Sequence, residues 1–392
     1  MKILYHHRVA SRDGQFVHID AIIKVLKQQG HEIILVAPEI SEKTDFGDNG
    51  GWVSRLRSTL PGFMAELLEF GYSFLDFYKL RKAIKTHRPD VIYERYNLFL
   101  PSGIWAKKLY GLPLLLEVNS PLYQERNDYT GIALPMLARW SEYYAWRNAD
   151  HVLPVSHVLA GYLDEAGVRQ ESITVIPNGI DAGLFAAESQ PARMADFEGK
   201  TVIGFVGFCR EWHRLDAVMD KIAELNNPDL HLLVVGDGPV LPALREKAKA
   251  LNLNHQIHLP GLVPRDDMPR WLAQIDIALQ PAVTPWCSPL KLIEYLACGK
   301  AIVAPDADNI KELLAHGHNA LLFQDGNMDA MINAIEFLIQ HPEQQARLRL
   351  AARQTINDKQ LTWTENGEKI VRLFEQYLSR TEPTLLSSQT GG

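Results

Sequence analysis

The segment SPLKLIEYLACGKAIVAP, residues 288–305, puts a helix start, a cation and a carboxylate close together. Pro289 opens a helical pattern, Gly299 stops it, and a buried strand follows. A helix N-terminus offers free backbone N–H groups and the positive end of a dipole, which suits a diphosphate. Ser288 and Leu290 flank Pro289 at that tip, and Lys291 adds a cation in the first turn. Glu294, further along, can accept hydrogen bonds from vicinal hydroxyls or simply sit solvated. VVGDGP (234–239) holds Gly236 and Gly238 in a turn where backbone can approach a ligand, with Asp237 as a ligand group or helix cap. GFCREWHRLD (207–216) adds Gly207, Arg210 and Arg214. Cations there fit an anionic ligand such as a diphosphate, and they also fit ordinary exposed loop positions.

A second set of polar residues lies in the first half of the chain. SRDGQFVHI (11–19) brings Arg12, Asp13 and Gly14 to the start of a long helix, with His18 further along in a structural role. VIYERYN (91–97) ends a strand-like run on Glu94 and Arg95, and LLLEVNSPLYQER (114–126) carries Glu117, Asn119, Glu125 and Arg126. Each ionisable group has a salt-bridge reading beside its ligand reading. Asn119 can hydrogen-bond a hydroxyl but cannot act as a general base at neutral pH. No metal is expected: Asp306-Ala307-Asp308 follows a strand and opens a short helix, where capping and turn chemistry account for it.

These residues need a scaffold, and the pattern supplies one. Short apolar runs alternate with helical stretches: KILYHH, EIILVA, DVIYE, LLLEV, HVLPV and ITVIPNG, then TVIGFVG, HLLVVGDG, IHLPG, DIALQP, KAIVAP and ALLF. Continuously apolar runs fit parallel strands covered on both sides by helices. A polar stretch at 186–200 separates the series. We therefore expect an α/β chain of two doubly wound Rossmann-like domains facing across a cleft, with ligands beyond the carboxyl ends of the strands. The expected division is 1–190, 191–362, a C-terminal helix over 363–380 that packs back towards the first domain, and a tail from 381 to 392.

Composition narrows the class. The 392 residues are 46% hydrophobic and 22% charged, enough for two cores, and the net charge of −7 argues against nucleic acid. Three scattered cysteines make neither a disulfide framework nor a thiolate metal site. MKILYHHR runs directly into a strand pattern without a leader, so a cytoplasmic location is expected.

Taken in order, the glycine loop at 13–14, Gly30-His31-Glu32, IPNGID (176–181), Phe185, GFVG (204–207), VVGDGP and SPLKLIEYLACGKAIVAP resemble the GT-B family of retaining glycosyltransferases with an E-x7-E motif, glycosyltransferase group 1, family 4. The resemblance spans nearly the whole chain. It implies transfer of a sugar from a UDP- or GDP-sugar to a glycan or lipid-linked acceptor, without a cofactor, in bacterial polysaccharide or envelope glycan synthesis. Glu294 matches the ribose-binding glutamate, and Gly14 and the VVGDGP loop take donor-binding places. The first motif glutamate falls on Trp286, which can donate a hydrogen bond or pack on a sugar but cannot accept. The family's Arg and Lys after the first strand of the second domain fall on Phe208 and His213, leaving the diphosphate charge to Arg210 and Lys291. Asn119 stands where relatives often carry a histidine, so the implied catalytic set is Asn119, Arg210 and Lys291. Arg12, Asp13, Glu94, Arg95, Glu117 and Asn119 take acceptor-side places.

Rival readings are a sugar-nucleotide epimerase or phosphorylase of the same architecture, or a non-enzymatic protein that binds nucleotide or a partner. One segment stands outside the resemblance. FMAELLEFGYSFLDFY (63–78) is helical and aromatic, and Lys79, Arg81, Lys82, Lys85 and Arg88 follow without an acidic residue. It reads either as a buried helix with a solvated basic end or, over residues 63–88, as a peripheral contact with an anionic membrane.

Overall fold

The structure is a computed structural model, and it describes residues 1–10, 14–38, 60–185 and 192–381. It divides into two units, Met1–Pro177 with the C-terminal helix from Trp363, and Asn178–Thr362. The division falls ahead of the expected boundary at residue 190. Two interactions draw the intervening residues into the second unit: Ile180 pairs with Thr362, and Asn178 binds Ser288.

The first unit is a five-stranded parallel sheet in the order β2-β1-β3-β4-β5. Its strands are β1 (Lys2–His6), β2 (Glu32–Val36), β3 (Val91–Arg95), β4 (Leu114–Val118) and β5 (His151–Pro154). Every residue of β3 and β4 is buried, as continuous apolar runs between two helical layers require. ITVIPNG does not become a strand. It joins the edge of β5 through one bridge, Ile173 to Val152, and Pro177 has no N–H to extend the ladder. The helix Trp363–Thr381 closes the unit against the helix Gly14–Gln28. A Cβ on Gly367 would sit 2.4 Å from Val25 Cγ1, so only glycine permits that approach. Tyr377 fastens the far end by donating to the Asp150 carbonyl at 2.7 Å.

The second unit is a six-stranded parallel sheet in the order β11-β10-β9-β6-β7-β8. The strands are β6 (Thr201–Val206), β7 (Leu230–Val235), β8 (Ile257–Gly261), β9 (Ile277–Leu279), β10 (Ala301–Pro305) and β11 (Leu321–Phe323). Both sheets reverse their strand order once, between β1 and β3 and between β6 and β9. Such a switch point opens a crevice at the strands' carboxyl ends, because the helices on either side leave in opposite directions.

Candidate functional site

In the second unit the switch point carries the segment that led the sequence argument. The helix Leu290–Ala297 follows β9, with Pro289 at its N-cap position and Gly299 in the left-handed region (φ 59°) two residues past its end. Tyr295 pins this helix to the sheet. Its hydroxyl accepts from the Val206 N–H at 2.9 Å and donates to the Leu279 carbonyl at 3.4 Å. Those two carbonyl and amide groups belong to β6 and β9, so the helix is tied to both sides of the switch point.

The turn ahead of the helix is held from elsewhere in the chain. Asn178, in IPNGID, donates its backbone N–H to Ser288 Oγ at 3.0 Å and its side-chain amide to the Ser288 carbonyl at 2.5 Å. Asn309 donates to the carbonyls of Thr284 (3.0 Å) and Cys287 (2.8 Å) and so fixes the loop that bears Trp286. Trp286 itself is buried, 5% exposed, which leaves little of its ring to stack on a sugar.

Lys291 lies against Gly207. A Cβ on that glycine would be 3.1 Å from the ammonium, which also sits over the Phe205 ring at 4.1 Å. Burial holds its pKa down to about 8. His213 is buried and its Nδ1 accepts from the Arg210 N–H at 3.0 Å. Burial, with help from the charges on Lys291 and Arg210, lowers it to about 3, so a neutral imidazole stands near two cations. Arg210 is exposed, its guanidinium over the rings of Phe208 (4.6 Å) and Trp212 (5.5 Å), whereas Arg214 is engaged by Asp216 at 3.2 Å.

The glycines act first on each other's loops. A Cβ on Gly236 would meet the Gly207 carbonyl oxygen at 2.0 Å, and one on Gly238 would meet that of Cys209 at 2.1 Å. Both glycines have positive φ, 138° and 155°. Asp237 is not a helix cap: its Oδ1 accepts from the adjacent Gly238 N–H at 2.7 Å. Glu294 is 3% exposed and its carboxylate accepts from Arg265, whose guanidinium lies 5.3 Å from the centre of the Phe185 ring. Arg265 escaped the sequence reading because nothing local distinguishes it from any loop arginine; the pair forms across 29 residues.

In the first unit the switch point holds a buried ionic network. Glu117 receives Arg95, Tyr93 Oη (2.6 Å), Asn119 Nδ2 (2.5 Å) and His18 Nε2 (2.9 Å). Burial raises its pKa, but these donors and charges outweigh it and hold the carboxylate well below its ordinary range. Glu94 is equally buried, 1% exposed, and its carboxylate meets His6 Nδ1 at 3.0 Å while Asp76 meets His6 Nε2 at 3.0 Å. His6 thus bridges β1, β3 and the helix Gly62–His87, and although burial opposes its charge, the two carboxylates raise its pKa to about 10. Gly103 leaves room for Glu94, since a Cβ there would lie 1.4 Å from its oxygen.

Of the acceptor-side expectations, then, Arg95, Glu117 and Asn119 come together at the ends of β3 and β4, with Asn119 partly exposed, whereas Glu94 turns to His6 and Asp76 in a separate cluster. Gly14 begins the first long helix. Arg12 and Asp13 lie outside the described residues. His6 was missed because its two carboxylates are 70 and 88 residues away, at spacings no motif encodes. The Asp306-Ala307-Asp308 carboxylates pair with Lys311 at 3.2 and 3.0 Å.

Two parallel Rossmann-like sheets with these switch-point sites define a GT-B fold. The chain matches the family models Glycosyltransferase Family 4 over residues 12–184 and Glycosyl transferases group 1 over residues 200–341. It belongs to glycosyltransferase group 1, family 4, and is a retaining glycosyltransferase that uses nucleotide sugars. An uncharacterized glycosyltransferase of Methanocaldococcus jannaschii is 21% identical over 383 residues, 93% of this chain and 95% of that protein. The 2-deoxystreptamine glucosyltransferase of Streptomyces kanamyceticus is 24% identical over 303 residues, 74% of this chain and 77% of that one. The crystal structure of Anabaena HepE in complex with UDP-glucose superposes with a TM-score of 0.69 at 20% identity, covering 96% of this chain and 100% of that one. Among the described residues no helix is long and apolar enough to cross a membrane.

Proposed function

We propose that this enzyme transfers a hexosyl group from a UDP- or GDP-sugar to a glycan or lipid-linked acceptor in bacterial polysaccharide or envelope glycan synthesis. The observation that carries the reading is Lys291, a cation held against Gly207 at the β6/β9 switch point, with no ion-pair partner among the described residues. Among the described residues Glu294 acts on that ammonium only at a distance and no carboxylate pairs with it, and a nucleoside diphosphate supplies a paired anion. Arg210 adds a second charge from the same loop system, and the N–H groups of Ser288 and Leu290 at the helix tip add donors. Glu294 takes the ribose hydroxyls and exchanges part of its contact with Arg265 for them. Trp286 and the glycine turn from Gly236 to Gly238 complete the donor side.

Transfer with retention needs no metal in this reading. The bond from the anomeric carbon to the diphosphate oxygen breaks, the acceptor hydroxyl forms its bond on the same side, and the departing phosphate takes the hydroxyl proton. Lys291 and Arg210 stabilise the charge that builds on the leaving group. Asn119, aimed by Glu117 and Arg95, orients the acceptor hydroxyl, and the buried carboxylates Glu94 and Glu117 act through the residues they hold. Arg12 and Asp13 belong to the same acceptor side.

The direct test is a thermal-shift panel of UDP- and GDP-sugars, because a ligand that binds only the folded state raises its stability. One nucleotide series should shift the melting temperature selectively, and Glu294→Ala should abolish both the shift and transfer. Turnover should survive a chelator. A panel without any shift, or full turnover in Glu294→Ala, would overturn the assignment.

A further inference from the structure

Over residues 63–78 the helix Gly62–His87 is amphipathic in the reverse sense. At about 100° per residue, its buried side runs through Ala65, Glu66, Ser73, Asp76, Leu80 and Ile84. The polar members of that side are satisfied inside the unit. Glu66 accepts from the N–H groups of Ala133 and Leu134, Ser73 donates to the Phe99 carbonyl at 2.8 Å, and Asp76 holds His6 and Ser102. The outward side, an arc of about 140°, is the apolar one. Phe63, Leu67, Phe74, Leu75 and Tyr78 are exposed by 50, 51, 63, 62 and 67%. These buried hydrogen bonds and the His6 ion pair fix the helix's rotation, so turning the apolar side inward would break them all.

The same outward arc changes character along the helix. After Tyr78 it carries Arg81, Lys82 and Lys85, all exposed, with no acidic residue between positions 79 and 88. Apolar surface continues sideways onto two neighbouring helices. Phe74 lies 5.3 Å from Trp105, and Phe70 lies 6.1 Å from Trp140, which is itself 48% exposed. Contiguous exposed apolar surface of this kind is rare on a protein that meets only water.

We propose that this outward side is a membrane-docking surface, whose apolar turns enter the headgroup boundary of an anionic bilayer while Arg81, Lys82 and Lys85 bind its anionic lipids. The charge pattern selects the occupant. An apolar stripe alone would fit a second copy of the chain, but a cationic continuation on the same arc repels an identical cationic surface and attracts an anionic one. Two weak signals, apolar insertion and a basic cluster, combine to give stable but reversible attachment. The inference rests on the lipid-linked reading of the acceptor for its purpose, but its observations are independent of the donor site.

Flotation with vesicles of phosphatidylcholine alone, and of phosphatidylcholine mixed with phosphatidylglycerol, tests it without donor or acceptor. The full chain should float with the mixed vesicles and not with the neutral ones, and high salt should release it. The triple substitution R81Q/K82Q/K85Q should weaken partitioning roughly hundredfold. Leu67→Ser with Phe74→Ser should weaken it as well, with the melting temperature unchanged because both side chains are exposed. Equal flotation with neutral vesicles, no flotation at all, or a dimer in sedimentation that the Leu67 and Phe74 substitutions dissociate would each overturn the proposal. Failure of the nucleotide-sugar panel would leave it standing.

Discussion

Asn178 grips Ser288 twice across 110 residues, through its backbone N–H and through its side-chain amide. The contact explains why IPNGID and SPLK belong to one site: the first segment sets the turn from which the second starts its helix. Replacing Asn178 with alanine leaves the Ser288 carbonyl buried without that donor, which should cost about 1–3 kcal/mol. The variant should melt earlier and show a raised KM for the donor while Lys291 remains in place. Thermal denaturation and donor titration read the two effects, and an unaltered KM would reduce the clamp to a stabilising contact.

Gly236 should tolerate no side chain. Its φ of 138° is unfavourable for any L-residue, and a Cβ would stand 2.0 Å from the Gly207 oxygen. Gly236→Ala should therefore destabilise by well over about 1 kcal/mol and weaken nucleotide binding by displacing Gly207 from Lys291. Gly199 is the control, since it has φ 72° with open space around it, and its alanine variant should lose only the backbone cost. Denaturant unfolding of the pair separates crowding from conformation. Equal losses would show that the loop-to-loop approach is unimportant.

Lys291 gives the proposed donor site a pH signature. Its folded pKa, about 8, lies below the ordinary lysine value of 10.5, so between those values the unfolded chain binds more protons and this residue's contribution to stability rises with pH. Diphosphate binding needs the charged form, so affinity should fall as pH climbs past 8. Lys291→Met should stabilise the free protein at neutral pH and weaken UDP or GDP binding by roughly tenfold to hundredfold. Calorimetric titration across this range is decisive, and affinity that increases with pH would exclude the ammonium from the site.

His6 predicts the opposite trend for the first unit. Its folded pKa, about 10, is above the unfolded value of 6.5, so its stabilisation is complete below 6.5 and disappears as pH rises through 10. His6→Ala leaves Asp76 and Glu94 without their shared cation and should cost about 3–5 kcal/mol. The wild-type denaturation midpoint for this unit, followed by fluorescence of Trp146, should decline over that interval, and the variant should lack the decline. A flat wild-type profile would mean that His6 is neutral between its carboxylates.

Much of this was readable before any coordinates. The runs from KILYHH to HVLPV and from TVIGFVG to ALLF coincide with β1–β5 and β6–β11, because a strand covered on both sides must be apolar throughout and glycine must end it where the chain turns sharply. The helix start at Leu290 and the glycines at 207, 236 and 238 were legible for the same reason: their constraints are local, set by neighbouring backbone.

What tertiary structure alone decided is who meets whom. Glu94 and Glu117 carried both a salt-bridge and a ligand reading from their places at strand ends, and packing buries both and hands them His6, His18, Arg95 and Asn119 as partners. Arg265 reaches Glu294, and Asn178 reaches Ser288, over separations along which the chain carries no periodic signal. The helix of residues 62–87 makes the point most sharply. Its sequence puts Phe63, Leu67, Phe70, Phe74 and Phe77 on one helical face, widened by Met64, Leu68 and Leu75, and only the polar anchors Ser73 and Asp76, bonded to Phe99 and His6, determined which arc turns outward. Side-chain identity along a chain sets what each group can bond; three-dimensional packing sets which of those bonds is made, because a buried polar group must find its partner wherever the fold brings one.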